Sequence, residues 1–170
     1  MRPHLTFVTH DSRGYSVIEV LLVTVMISVI AGFVVVSLVR ANRKNDRTKS
    51  AVEIAHHLQK ARLDSMRRKA NEVTQMAQVT VFNRKFYSVA IDADNDGILD
   101  IPLVISLPER PGLEMSGPFP KAYIFDSLGQ TVDYHLRPVE PPPMTVGDRS
   151  GASAIKFSEG KIMVVPAVLK

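Results

Sequence analysis

The first half of the chain is a long apolar run that passes into a periodic pattern. Residues 15–39 read YSVIEVLLVTVMISVIAGFVVVSLV, and the 20 residues from Val20 to Val39 contain no charge. A helix needs about 20 apolar residues to cross the hydrocarbon core of a bilayer. A core helix of a soluble domain would instead carry polar residues at helical spacing. The pattern therefore predicts a transmembrane helix over residues 15–39.

The helical pattern continues as an amphipathic stem over residues 40–74. One stripe at helical spacing is small or apolar and consists of Ala51, Ile54, Ala55, Leu58, Ala61 and Ser65. Gly and Pro are absent from residues 33–96, so the sequence contains no helix breaker there. A helix from about residue 15 to about residue 70 would be roughly 80 Å long. Its narrow stripe predicts packing against residues 75–170.

Short β-rich runs separated by turn residues fill residues 75–170. Two partly alternating runs, residues 78–82 and 86–91, predict neighbouring strands. In a further run, residues 98–107, Pro102 restricts a strand to a sheet edge or a bulge. The remaining strand candidates are residues 122–125, 131–136, 155–157 and 161–165. We therefore predict an α+β fold, in which a long N-terminal helix packs through its C-terminal half on an antiparallel β domain.

Charge changes along the chain in the same three parts. Residues 15–39 carry Glu19 alone, residues 40–69 hold ten Lys/Arg against three acids, and residues 70–170 hold nine against twelve. A basic stem thus joins an apolar end to a mildly acidic body. The absence of Cys excludes disulfides, thiolate metal sites and Cys nucleophiles. No nucleophile–base set or cofactor fingerprint is visible, so we expect a protein that is not an enzyme.

The residues just before the apolar run carry a family resemblance. Gly14 precedes Tyr15, and Ile18 and Glu19 follow at fixed spacing before the apolar stretch. This combination resembles the type IV prepilin processing motif, in which Gly, usually Phe, and Thr-Leu-Ile-Glu precede an apolar helix. The resemblance implies a leader over residues 1–14, cleavage by a prepilin peptidase after Gly14, and methylation of the new N-terminus at Tyr15. It also implies assembly with other pilin or pseudopilin subunits into a filament.

Softer likenesses follow later in the chain. Residues 58–62, 123–129 and 160–165 are similar to segments of the H-type pseudopilins of type II secretion and of the FimT-type minor pilins. The apolar helix lacks the Pro of many pilins, which disfavours a major pilin. The resemblance implies a single-pass inner-membrane protein with a periplasmic β domain, incorporated into a periplasmic or surface filament. The expected function is that of a minor pseudopilin, and the alternative is a minor type IV pilin in pilus assembly, adhesion or DNA uptake.

Glu19 places a carboxylate near one end of the predicted membrane helix. A charge at the centre of such a helix costs about 2.5–3.5 kcal/mol, and less near its end. The side chain can reach the interface and have no further role. In the pilin family the carboxylate pairs with the N-terminal amine, which cleavage after Gly14 would create. The resemblance therefore implies an assembly role for Glu19.

Two observations compete with this orientation and processing. Two Lys/Arg precede the span and five follow it within residues 40–49, so positive-inside counting places the C-terminal side in the cytoplasm. We keep the periplasmic orientation because the processing motif is more specific than a charge count. Val29 and Ala31 also fit a signal peptidase site. Cleavage after Ala31 would release a secreted calcium-binding β domain.

An Asp-rich turn is the second candidate site. Its potential ligands have the spacing of the first part of a calcium loop and are the side chains of Asp92, Asp94, Asp96 and Asp100 with the carbonyl of Ile98. The twelfth position is Leu103 rather than Glu, so the loop is not an EF-hand. Hairpin turns use Asp, Asn and Gly as well. Calcium binding and a turn without an ion therefore both stay open.

The basic stem leaves a contact with DNA open. FimT-type pilins are associated with DNA uptake, so the resemblance permits DNA as a partner. The alternative is a solvated helix face whose charge is balanced by acidic neighbours in a filament. His56 and His57 are adjacent and point to different sides of a helix, which disfavours a shared metal site.

Overall fold

The computed structural model describes residues 16–141, 143–158 and 161–167. The predicted processing residues Gly14 and Tyr15 lie outside this range. Helix α1 spans Val17–Arg68, and a short 3-10 helix follows at Val73–Gln75. The strands in the described part of the chain are β1 (Gln78–Val81), β2 (Phe86–Ala90), β3 (Leu103–Ser106), β4 (Glu114–Ser116), β5 (Lys121–Phe125), β6 (Thr131–Val132), β7 (Met144–Asp148), β8 (Gly151–Ser158) and β9 (Lys161–Ala167).

The chain divides into two compact units, residues 1–41 and residues 42–170. In the first unit, the described residues belong to the apolar part of α1, whose large apolar side chains are exposed. By length and composition this helix can span a membrane, and none of its most apolar window is buried. An N-terminal signal sequence satisfies the same test of length and composition.

In the second unit, the rest of α1 packs on the strands. Every residue of the predicted stripe is buried, namely Ala51, Ile54, Ala55, Leu58, Ala61 and Ser65. These side chains share one core with residues of both sheets, including Val79 and Tyr123 on one side and Val146 and Ile155 on the other. Small residues dominate the helix stripe, so the helix backbone approaches the strands closely. The predicted stem packing is confirmed.

The strands form two antiparallel sheets. One has five strands in the order β3-β2-β1-β5-β6, and the other has four in the order β4-β7-β8-β9. In the first sheet, β1 is central, and Val79 is paired with Val89 on β2 and with Tyr123 on β5. In the second sheet, β8 and β9 form the predicted C-terminal hairpin, in which Ile155 is paired with Val164. The α+β class is thus confirmed.

Several details differ from the sequence expectations. One sheet was expected, but the strands form two. β4 and β7 of the second sheet were not predicted, because they have few β-branched residues. The strand expected over residues 98–107 is confined to Leu103–Ser106. Pro102 and the Asp-rich turn account for its late start, and β3 is an edge strand as Pro102 indicated. The helix ends at Arg68, close to the expected residue 70.

Candidate functional site

Glu19 lies in the first turn of α1. Its backbone N–H donates to the carbonyl oxygen of Ser16 at 2.9 Å, at the point where the helix begins. Its neighbours Ile18, Val20 and Leu21 are exposed apolar residues. A negative charge in the first turn is favoured by the helix dipole. The carboxylate is therefore a single charge on an apolar helix surface that is open to a partner.

Glu19 also has the spacing of a helix cap. Ser16 precedes the helix and Glu19 is its third residue, which is the Ser-x-x-Glu spacing of a capping box. In that motif the Glu side chain bonds the backbone at the helix start, and Gln serves equally well. This spacing was not among the sequence predictions. Gln at this position therefore separates a capping function from a function of the charge.

The Asp-rich turn brings three of the predicted ligands together. One carboxylate oxygen from each of Asp92, Asp94 and Asp96 lies within 4.8 Å of the other two. Asp92 is buried, whereas Asp94 and Asp96 are exposed. Asp100 accepts a hydrogen bond from the backbone N–H of Ala93 at 2.7 Å and so closes the turn. The group that converges is therefore smaller than the set proposed from the sequence.

Backbone hydrogen bonds explain why Asp alternates in this turn. Asp94 accepts from the N–H of Asp96 at 3.3 Å, and Asp96 accepts from the N–H of Ile98 at 2.8 Å. Asp92 accepts from the N–H of Gly97 at 3.0 Å. Gly97 has a φ of +90°, which favours glycine. Asp side chains that bond the backbone two residues on are usual in turns, so the spacing has a structural explanation without an ion.

A cluster of charges anchors the turn to the end of α1. Asp64 is buried, and it accepts from Arg67 at 2.8 Å and from Arg68 at 2.7 Å. The backbone N–H of Asp92 donates to the same carboxylate at 3.2 Å, and Arg67 donates to the carbonyl oxygen of Asp92 at 3.2 Å. This anchor was not predicted from the sequence. Its signal was the i, i+3 and i, i+4 spacing of Asp64, Arg67 and Arg68.

Backbone hydrogen bonds within the turn, together with Arg68 of the anchor, lower the pKa of Asp92. Burial alone would raise the pKa of Asp92, but backbone hydrogen bonds from Gly97 and Asn95 and the nearby Arg68 guanidinium hold the pKa below its ordinary value. The Arg68 Nε lies 3.8 Å from the Asp92 carboxylate, and the Arg67 guanidinium lies 3.7 Å from it. A cation in the turn would therefore share a carboxylate that already has two positive neighbours.

Basic residues of the stem also hold the β domain. Arg47 pairs with Asp148 at 2.9 Å, and their side chains are only 11% and 12% exposed. Arg62 donates to the carbonyl oxygen of Gly129 at 2.8 Å. The turn at Gly129 is so close to the helix that an added Cβ would lie 2.6 Å from the sulfur of Met66. With the anchor arginines, four of the ten Lys/Arg in residues 40–69 contact the chain's own β domain.

Comparisons of the chain with protein-family models, with curated proteins and with solved structures give no match. The structural feature that bears on the class of the protein is the order of its helix and strands. A long apolar N-terminal helix is followed by an antiparallel β-sheet domain, which is a pilin-like arrangement.

Proposed function

We propose that this chain is a non-catalytic subunit of a type IV pilus-like filament, most similar to a minor pseudopilin of type II secretion. The observation that carries the proposal is the combination of one motif with one layout. Gly14, Tyr15 and Glu19 stand at prepilin spacing directly before an exposed apolar helix. The same helix continues into a stem that packs on an antiparallel β domain. Either feature alone would be compatible with other membrane-anchored proteins.

The proposed work of the subunit is mechanical. The apolar helix is held in the inner membrane after cleavage and then packs with the helices of other subunits. The Glu19 carboxylate pairs with the new amine of Tyr15 on a neighbouring subunit, which fixes the axial position of the incoming helix. The β domain lies on the periplasmic side. The Arg47–Asp148 pair and the Arg62–Gly129 hydrogen bond tie stem and domain together, so that force on the helix reaches the domain.

A minor type IV pilin is the alternative within the same architecture. Six Lys/Arg of the stem lie outside the contacts described above and are exposed, namely Arg40, Arg43, Lys44, Lys49, Lys60 and Lys69. An exposed basic helix is compatible with DNA, whose phosphates attract such charges. Deleting the gene and scoring exoprotein release, twitching and transformation separates the two functions. Loss of exoprotein release alone supports the pseudopilin, and loss of twitching or transformation supports the minor pilin.

The mature N-terminus tests the proposal most directly. Mass spectrometry of the chain from its own membranes should find a protein that starts at Tyr15 and carries one added methyl group. Gly14→Glu should keep the leader attached, because the peptidase must accommodate the residue before the cut. Gly32→Ala is the matched control, since a Cβ at Gly32 has no atom within 4 Å. A mature chain that starts at Gly32 would instead indicate a secreted domain.

We also propose calcium as the ion of the Asp-rich turn. The convergence of Asp92, Asp94 and Asp96 within 4.8 Å supports it, because carboxylate oxygens are the ligands that calcium prefers. The carbonyl of Ile98 and a carboxylate oxygen of Asp100 would complete the set proposed from the sequence. The ion would be structural, since it would cross-link a turn that is already anchored to α1.

A further inference from the structure

The edge of the five-stranded sheet carries an exposed apolar patch. Ile98, Ile101, Leu103 and Val104 are 69%, 92%, 64% and 60% exposed, and β3 is the terminal strand of its sheet. Residues 101–108 contain no charge. Edge strands are normally protected from pairing with other chains by short length, charges, prolines or bulges. β3 has four residues and Pro102 lies directly before it, but the strand itself carries no charge or proline, so it offers a template for a short further strand.

The four-stranded sheet ends in a second edge of matching chemistry. Among the described residues β9 is the terminal strand of that sheet. Met163 and Val165 are exposed on it, whereas Ile162 and Val164 pack against the core. Within the described chain, β3 pairs only with β2 and β9 pairs only with β8. A pair of β3 with β9 would therefore join two copies.

Charges at the strand ends indicate how two copies would align. Asp94, Asp96 and Asp100 precede β3, so the end of the edge at Leu103 is acidic. The other end is followed by Glu109 and Arg110, whose charges are of opposite sign. β9 begins with Lys161. Parallel alignment of β9 with β3 places Lys161 beside the acidic end, whereas antiparallel alignment places it at the end that has no net charge.

Antiparallel pairing of β3 with itself would be a twofold contact, which closes on itself as a dimer. A contact between different surfaces repeats without closing, as a filament requires.

We propose that β3 of one copy pairs in parallel with β9 of a second copy, with Lys161 beside the acidic turn. The proposal rests on the proposed function for the need of a contact that repeats along a filament. It deepens that function by naming a lateral contact between β domains. The contact is distinct from the contacts of the apolar helices.

Engineered cysteines test the pairing in the full chain, which has no native Cys. Two differently tagged copies, one with Val104→Cys and one with Met163→Cys, are co-expressed in membranes and oxidised in the presence of a chelator. We expect a disulfide-linked dimer that contains both tags. Val104→Cys paired with Leu63→Cys is the control, because Leu63 is exposed on α1 rather than on an edge. Lys161→Glu in the Met163→Cys copy should lower the yield about fivefold. Adding Asp94→Lys in the Val104→Cys copy should restore it.

The outcomes separate this contact from the filament proposal. Dimers that join two Val104→Cys copies, or no dimer above the control, would overturn the β3–β9 pairing. Unchanged yield with Lys161→Glu would overturn the parallel alignment. A cross-linked dimer in cells where Glu19 variants assemble normally would uphold the lateral contact and remove the proposed role of Glu19. Correct processing and assembly without the dimer would overturn the lateral contact and leave the proposed role of Glu19 in place.

Discussion

Replacing Glu19 by Gln removes one charge and keeps the helix start. Gln at the third helical position still satisfies the capping box that Ser16 and Glu19 can form. Glu19→Val removes both the charge and the capping group. Glu19→Asp keeps the charge on a shorter side chain. These three variants distinguish an ion pair between subunits from a local role at the helix end.

The magnitude follows from the position of Glu19 on α1. Val39 lies 20 residues further along the helix, which corresponds to about 30 Å, the thickness of a hydrocarbon core. With Val39 at one interface of a membrane, Glu19 would therefore lie at the opposite interface, and replacing Glu19 should leave insertion and cleavage unchanged. In a filament, partner helices cover the exposed apolar surface around it. Removing one partner of a buried ion pair costs about 3–5 kcal/mol, or roughly 100- to 4,000-fold in association.

The assay is cross-linking to partner subunits in the cells that make the filament. Immunoblots of membranes and mass spectrometry of the mature N-terminus are the controls for insertion and processing. We expect Glu19→Gln and Glu19→Val to lose cross-linking alike, with Glu19→Asp intermediate. If Glu19→Gln assembles as the wild type does while Glu19→Val fails, the side chain is a helix cap and the pairing with the amine of Tyr15 is wrong.

Three further predictions concern the β domain, measured as thermal unfolding of the full chain in detergent. Gly129→Ala should destabilise it by about 2–4 kcal/mol, because the residue has a φ of +73° and the new methyl group would also clash with side chains of α1. Gly97→Ala is the control: its φ is +90° but the space around it is open, so it should cost only about 1–2 kcal/mol. Arg47→Ala should cost about 2–3 kcal/mol at neutral pH. Burial raises the pKa of Asp148, but hydrogen bonds from Ser150 and the Arg47 guanidinium lower it overall. This loss should therefore shrink as the pH falls below 3.8 and vanish below the lowered pKa of folded Asp148. Calcium at a hundredfold excess over its dissociation constant should add about 2.7 kcal/mol to the free energy of unfolding, and Asp94→Ala should abolish this gain. Identical melting with calcium and with chelator would mean that the Asp-rich segment is a turn without an ion.

The fold was predictable wherever side-chain periodicity determines burial. The stripe from Ala51 to Ser65 appears in the sequence and is buried in the structure, because helical spacing places those residues on one face. The hairpin of β1 and β2 was predictable from β-branched and aromatic residues flanking a turn. β7 was missed because its sequence, Met-Thr-Val-Gly-Asp, is weakly β-forming. Pairing with β8 stabilises it, and such a non-local contact leaves no mark in the segment itself.

The site was predictable in composition and less so in geometry. The alternation of Asp92, Asp94 and Asp96 indicated a turn with convergent carboxylates, which the structure contains. The basic stem was expected to be either a contact for DNA or a solvated helix face. Arg47 and Arg68 instead pair with Asp148 and Asp64, whose carboxylates are largely buried. A long flexible side chain can turn toward a partner that is distant in sequence, so helical position alone does not determine where its charge lies.

One helix thus has two different tasks along its length. From Arg47 to Arg68 its residues contact the chain's own β domain through a small-residue stripe and charged contacts, so this part cannot rearrange without breaking the core. Before Ala41 its apolar side chains are exposed, so they suit a lipid environment and partner helices equally. In the proposed filament, transfer from the membrane would exchange one apolar environment for another at little cost. Apolar contact of this kind favours association and specifies position poorly, so the carboxylate of Glu19 would be the feature that selects one axial position.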